Sequence, residues 1–226
     1  MDGHSPSRTA QMQAVVESLF EGGIVVAATD PRRPQPDPFE GEDAHLQRAF
    51  PSRKREFAAG RAMARAALEA LGLEPQIIPA GADRAPLWPE GVTGSISHTA
   101  SMCVAVASDR ATALGVDIEE NTDLEADIVA SICTEAEIAR LTGPDLLRLA
   151  KLVFCAKEAA YKAQYPLTGE MMEFSDFDVT FDYRALSFTA TFTRQVGQFA
   201  VGDVLPGRFG HAADHLVAAV SLGQAA

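Results

Sequence analysis

Apolar and polar positions recur along this chain in two periods, and the switch between them marks its elements. Residues 10–19 carry a weak helical repeat after an expected frayed terminus over 1–10, and the β-branched run from Ile24 to Val26 suits a strand. Four prolines within residues 30–38 leave only an extended loop. Pro51-Ser52 then opens an alanine-rich segment ending at Leu71-Gly72, which predicts a helix of about five turns with a glycine stop. Residues 76–79 are expected as a short strand, 80–91 as a Gly/Pro loop, and strands follow over 93–97, 102–108 and 111–118. Acid-rich helices are predicted over 124–131 and behind Thr134, where Glu137 completes a capping box. Pro144 suits the first turn of a helix to about Gln164, and period-two patterning over 176–181, 186–192, 199–204 and 215–222 predicts four more strands, with 207–210 as loop. Each half of the chain thus places a long helix before strands.

A length of 226 residues, 47% of them hydrophobic, with a mean hydropathy of +0.00, allows one large domain or two small packed lobes and excludes global disorder. No apolar run approaches the ~18–20 residues of a membrane span, and residues 1–10 lack a basic start leading into an apolar stretch, so a soluble cytoplasmic protein with no membrane partner is expected. Cys103, Cys133 and Cys155 cannot all pair and sit in apolar surroundings, which suits buried free thiols. With 31 acids against 19 Lys and Arg the net charge is -12, so nucleic acid is not an expected partner. The only lysines, Lys54, Lys151, Lys157 and Lys162, fall in two short basic windows.

Those windows and one acidic strand end carry the candidate chemistry. Asp117 and Glu119 lie two apart at the end of a predicted strand, so their carboxylates share a face that Glu120 does not. They are either a solvated strand end or a site for a hard cation such as Mg²⁺, since oxygen ligands without nearby Cys or His favour such an ion. Glu158 and Lys162, one helical turn apart, are either a surface ion pair or a third metal ligand beside a phosphate contact. Arg53, Arg61 and Arg65 align roughly along the alanine-rich helix, where they form a solvated face or a phosphate clamp. Ser97-His98 lacks the GxSxG elbow of a serine hydrolase, and His98 suits a phosphate donor or a turn anchor. His211 and His215 lack HExxH context, so a zinc site is not expected; the absence of a Gly-Lys dipeptide excludes a Walker A loop, and GxGxxG is absent too.

Five ordered blocks resemble the 4'-phosphopantetheinyl transferase superfamily, in its single-chain class typified by enterobactin synthase component D. They are Arg53-Lys54-Arg55-Glu56-Phe57 with Gly60-Arg61 and Ala64-Arg65; Arg84-Ala85-Pro86-Leu87-Trp88-Pro89; Gly94-Ser95-Ile96-Ser97-His98; Gly115-Val116-Asp117-Ile118-Glu119; and residues 154–163 around Lys157-Glu158 and Tyr161-Lys162. The resemblance covers about residues 50–120 and 150–182. It implies an α+β fold of two similar lobes related by a pseudo-twofold axis, each a small sheet on a long helix, with the active site between them. The lobes would be 1–110, with the coenzyme A phosphate contacts, and 111–226, with the metal-binding carboxylates. The implied activity moves the phosphopantetheine arm of the co-substrate coenzyme A to a serine of an apo acyl or peptidyl carrier protein, releasing adenosine 3',5'-bisphosphate, with siderophore biosynthesis as the pathway. Asp117, Glu119 and Glu158 would hold Mg²⁺ or Mn²⁺; Arg53, Arg61, Arg84, Ser97, His98 and Lys162 would contact coenzyme A; Glu158 and Lys162 would act in catalysis. Asp83-Arg84-Ala85-Pro86 stands where many relatives carry Gly-Lys-Pro, so Arg84 would replace that lysine. A monomeric pseudo-dimer is expected. The alternatives are a Mg²⁺-dependent phosphohydrolase and a noncatalytic coenzyme A or carrier-binding protein.

Overall fold

The computed structural model describes residues 6–224; residues 1–5 of the expected frayed terminus lie outside them. Order begins earlier than the sequence suggested, because Ser7 accepts a hydrogen bond from the Ala10 amide and so caps α1 (Arg8–Leu19). The first half continues through β1 (Val25–Thr29), α2 (Pro51–Ala70), β2 (Thr93–His98) and β3 (Cys103–Ser108), whose three strands pair antiparallel in the order β1-β3-β2. The central β3 is buried throughout. Alanines explain how α2 lies close over this sheet: Ala59, Ala64 and Ala67 are fully buried, and a side chain at Gly60 would press on Ile96. The helix stops as the sequence predicts, with Gly72 at φ +81° and the amides of Gly72 and Leu73 closing on the carbonyls of Glu69 and Leu68.

The second half comprises β4 (Ala111–Glu120), the short helices α3 (Val129–Ile132) and α4 (Glu135–Arg140), the long α5 (Leu146–Thr168), then β5 (Phe177–Asp182), β6 (Ser187–Phe192), β7 (Val204–Ala212) and β8 (His215–Gln224). Its sheet is antiparallel in the order β4-β8-β7-β6-β5, so the first and last strands of this half pair, Asp117 opposite Ala218. A core containing Val153, Phe177, Phe192, Leu205 and Val220 fills the space between α5 and this sheet. A second core draws Met12 and Val16 of α1, Val104 and Val106 of β3, Leu114 and Ile118 of β4 and Val217 of β8 together, which joins the two halves. The mixed α+β architecture of two helix-covered sheets is the one expected.

Three elements differ from the sequence reading. Residues 76–79 form no strand: Pro75 and Pro79 have no amide proton, and the Ile78 amide donates to the Glu42 carboxylate instead of a ladder. Helix α5 continues past Gln164 through Pro166 to a stop at Gly169, φ +66°. The strand expected over 199–204 is a turn, and β7 instead includes Gly207 and Gly210; the Phe188 ring lies so close over Gly207 that a Cβ there would be 2.2 Å from it. No helix among the described residues is long and apolar enough to cross a membrane.

Candidate active site

The two sheets meet where β2 lies beside β4, and serine side chains join them. Ser95 Oγ accepts from the Val116 amide at 3.1 Å, and Ser97 Oγ accepts from the Ile118 amide at 3.2 Å. Ser97 then donates its own proton to Asp117 Oδ1 at 2.8 Å. Asp117 is 3% exposed, and the same Oδ1 takes Lys162 Nζ from α5 at 2.6 Å, while its Oδ2 is buried without a hydrogen-bond partner among the described residues. An unpartnered buried carboxylate oxygen is unfavourable unless a further positive group completes it.

Helix α5 supplies the rest of this acidic corner. Spacings of four, three and four put Lys151, Cys155, Glu158 and Lys162 along one face. Burial, then the charge of Asp117, pushes the Glu119 carboxyl up to about 7, against the pull of Lys151 and Lys162; Glu158 adds to the rise. Lys151 Nζ lies 3.9 Å from Glu119. Glu158 is raised first by burial and also by Asp117, with Lys162 opposing. Burial lowers Lys162, but the charge and hydrogen bond of Asp117, with Glu158 and Cys155 adding, together hold the ammonium above its ordinary value. Lys162 thus makes its ion pair across to β4 instead of with Glu158 one turn away, which removes the surface-pair alternative. The neighbouring Lys157 points inward, bonded to Glu137, the Ile132 carbonyl and the Phe174 carbonyl, so Glu158 alone of that dipeptide faces the corner. Among the described residues, no three Asp, Glu, His or Cys side chains converge closely enough to cage a metal unaided. The donor set nevertheless fits a divalent ion: every donor is a carboxylate oxygen, Asp117 Oδ2 lacks a partner among the described residues, and burial, with the charge of Asp117 adding, raises Glu119 and Glu158. Mg²⁺ keeps several waters and takes substrate phosphate oxygens, so few protein ligands suffice.

The cationic side lies on the first lobe. Arg53 Nη1 meets His98 Nε2; the guanidinium only donates, so Nε2 accepts and Nδ1 bears the ring proton, 3.7 Å from Glu56 Oε2. Burial, then Arg53 and Lys162, push His98 down to about 4. The arginine row divides. Arg65 is committed to the buried Glu42 at 2.8 Å and covers the Phe39 ring, whereas the equally buried Arg61 covers Phe57 and, among the described residues, leaves its Nε without a partner and has no carboxylate within ion-pair reach. Arg84 is exposed at φ +71°, at the rim of a cleft of about 520 Å³ shared with Trp88, Tyr161, Lys162 and Tyr165. Tyr165 donates to Asp83 Oδ2 at 2.6 Å across this cleft. A smaller apolar cavity of about 200 Å³ lies beyond Tyr161 and holds Glu158, Met172 and Phe174.

The structure therefore brings Asp117, Glu119, Glu158 and Lys162 together, with Ser97 bonded to Asp117 and His98 to Arg53. Ser97 has both its donor and an acceptor position committed to the second lobe, so it orients Asp117. Glu56 and Lys151 stand within the block and the basic window read from the sequence but drew no role there, although the α5 face holding Glu158 and Lys162 also contains Lys151 by spacing alone. Tyr165 and Asp83 gave no local signal, since 82 positions separate them.

Known proteins show the same order of parts. Residues 41–108 match the family described as 4'-phosphopantetheinyl transferase N-terminal domain, and residues 113–217 match the 4'-phosphopantetheinyl transferase superfamily. The chain is 41% identical over 160 residues to 4'-phosphopantetheinyl transferase Svp of Streptomyces mobaraensis, covering 67% of this chain and 64% of that protein. It is 34% identical over 163 residues to 4'-phosphopantetheinyl transferase PptT of Mycobacterium tuberculosis, covering 70% and 72%. It is also 42% identical over 125 residues to enterobactin synthase component D of Escherichia coli O157:H7, covering 53% and 59%. The match thus spans a little under two thirds of the first relative, more of the second and less of the third. Consecutive matches on either side of the seam, together with the similarity to PptT over most of its length, place the chain in the 4'-phosphopantetheinyl transferase superfamily.

Proposed function

We propose that this protein is a 4'-phosphopantetheinyl transferase that moves the phosphopantetheine arm of coenzyme A to a serine of an apo acyl or peptidyl carrier protein. The observation that carries this reading is the opposition, across the seam, of Asp117, Glu119 and Glu158, with Lys162 among them, to His98, Arg53 and Arg61. Such a pairing suits a substrate with several phosphates and a metal ion, because phosphoryl transfer needs positioning and charge neutralisation more than covalent help. Two cavities on either side of Tyr161 suit the two parts of coenzyme A: the cleft with Arg84, Trp88 and Lys162 for the nucleotide, and the apolar one with Met172 and Phe174 for the pantetheine.

Asp117, Glu119 and Glu158 would hold Mg²⁺, or Mn²⁺ in its place. The ion supplies neutralisation of pyrophosphate charge when bound. Arg61 and Arg53 with His98 bind phosphate oxygens, and Arg84 reaches the nucleotide from the cleft rim. Lys162 bridges Asp117 and the pyrophosphate. Glu158 takes the proton of the carrier serine as its oxygen attacks the phosphorus next to pantetheine. A phosphorus–oxygen bond to the carrier forms as the pyrophosphate bridge breaks, and adenosine 3',5'-bisphosphate leaves with the bond's electron pair. The high Glu158 carboxyl suits this base role. The relatives named enterobactin synthase component D favour a carrier of siderophore assembly, and the protein acts as a cytoplasmic monomer whose two lobes, 1–110 and 111–226, do the work of a dimer.

The test is mass spectrometry of an apo carrier with coenzyme A and Mg²⁺. The expected result is a gain equal to one phosphopantetheine, lost in excess EDTA. Free phosphopantetheine appearing without a carrier would replace the transferase with a phosphohydrolase, and coenzyme A binding without turnover would leave only a binding protein.

A further inference from the structure

His215 is 1% exposed, starts β8 and takes no part in the mechanism above. Its ring reaches out of the second lobe to the β2–β3 turn of the first: Nε2 lies 2.9 Å from Thr99 Oγ1 and 3.2 Å from Ser101 Oγ. Nδ1 lies 2.8 Å from the Ala213 carbonyl, which only accepts, so Nδ1 bears the ring proton and Nε2 accepts from both hydroxyls. Thr99 Oγ1 has its remaining capacity filled by the amides of Ser101 and Met102, each at 3.2 Å. One ring therefore organises the whole turn that follows His98.

The hairpin holding this ring is itself strained. Ala213 at φ +49° and Asp214 at φ +62° both occupy the left-handed region, where a two-residue hairpin ordinarily uses Asn-Gly. Three hydrogen bonds besides those of His215 fix it: Arg8 donates to the Asp214 carboxylate and to the Ala213 carbonyl, and the Asn121 amide donates to the Asp214 carbonyl at 2.9 Å. Strain held by so many partners marks a conformation kept for its consequence.

We propose that His215 is a positioning residue, a clamp from the second lobe that fixes the Thr99–Met102 turn and so sets the ring of His98 against Arg53 and Glu56. The proposal rests on the phosphate-binding reading of His98 for its role in the reaction, but not for its geometry. His98 caps the end of β2, and the clamped turn is the only covalent continuation of that strand beyond it. Arg53, Glu56 and Lys162 are the charged groups that face the ring, and they come from α2 and α5.

The experiment follows the His98 ring by NMR through a pH titration of the full chain without coenzyme A, in wild type and in His215→Phe, which keeps the ring's bulk and loses its hydrogen bonds. Release of the turn admits water to His98, so its midpoint should climb from about 4 toward 6.5. The Michaelis constant for coenzyme A should rise about tenfold, the scale of one weakened phosphate contact, with kcat within about twofold. Thr99→Val combined with Ser101→Ala should reproduce both changes from the other side of the clamp, and it serves alone if His215→Phe does not fold. An unmoved His98 midpoint in either folded variant overturns the clamp. His98→Ala tests the other reading separately: if it leaves the Michaelis constant for coenzyme A unchanged, His98 loses its phosphate role while the clamp is judged on the titration.

Discussion

Glu158 combines nearness to Asp117 with a carboxyl raised by burial, and these two properties separate in one variant. Glu158→Gln keeps shape and hydrogen bonding but cannot take a proton, so kcat should fall by about 10²–10⁴ in a carrier-loading assay. If the side chain also ligates the metal, the Mg²⁺ concentration for half-maximal rate rises in the same assay; wild-type kinetics in both respects would remove Glu158 from the chemistry. Glu119 gives a stability test with a defined sign. Its carboxyl titrates near 7 in the folded protein against an ordinary 4.5. Below about pH 4.5 both states hold the proton and nothing is at stake; between 4.5 and 7 the unfolded chain releases it first, so folding becomes progressively disfavoured and the full cost is present above 7. Glu119→Gln should therefore raise metal-free stability at about pH 8 by on the order of 1–3 kcal/mol and leave it unchanged near pH 4, as read by urea denaturation at the two pH values. Saturating Mg²⁺ should cancel the gain. Much of the candidate site was legible in the sequence at this scale: the structure brings the carboxylate pair two apart and the Glu158–Lys162 turn to one corner. The division of the arginines was not, because Glu42, which engages Arg65, lies 23 positions away in a stretch without a pattern of its own.

Among the elements, α5 and β4 must approach closely enough for Lys162 to reach Asp117, and one glycine permits it. A Cβ at Gly115 would lie 1.9 Å from the Ala159 carbonyl oxygen, which is helix backbone and cannot swing aside. Gly115→Ala should destabilise the protein by about 1–3 kcal/mol, seen in thermal or urea melts, and should reduce activity even where the variant folds, because the helix retreats from Asp117. A variant with wild-type stability and turnover would show that the two elements have more freedom than their packing implies. Helices and strands with clear periods were legible. The misreadings occurred where a residue's usual local meaning gave way to packing: Gly207 is a strand residue because Phe188 covers it, and Pro166 sits in a last helical turn instead of ending the helix.

Across the whole molecule, the halves are held together by a shared core and by serine side chains that span from β2 to β4. Ser97→Ala should leave the Ile118 amide without its partner and free Asp117 to turn, costing about 1–3 kcal/mol of stability and weakening Mg²⁺ activation; calorimetry and a metal titration would check the two effects. Loss of stability with unchanged metal response would confine Ser97 to joining the sheets. The two-lobed plan came from the family resemblance, with which the repeated order of helix and strands agrees, whereas α1 packing on the second half's sheet was not legible, since contacts between distant segments leave no period in either one.

The pairing of β4 with β8 has a further consequence for the making of the protein. Asp117 and Glu119 are synthesised at mid-chain but sit on a strand whose ladder partner ends at Gln224. A ribosome exposes residue 117 long before that partner leaves its exit tunnel, so the acidic strand waits unpaired while roughly half of the polypeptide is translated. Contacts of such wide sequence separation also form slowly. A nascent chain therefore completes the strand that holds Asp117 and Glu119 only once β8 has emerged, so under the proposed function its activity would arise in one late step instead of lobe by lobe.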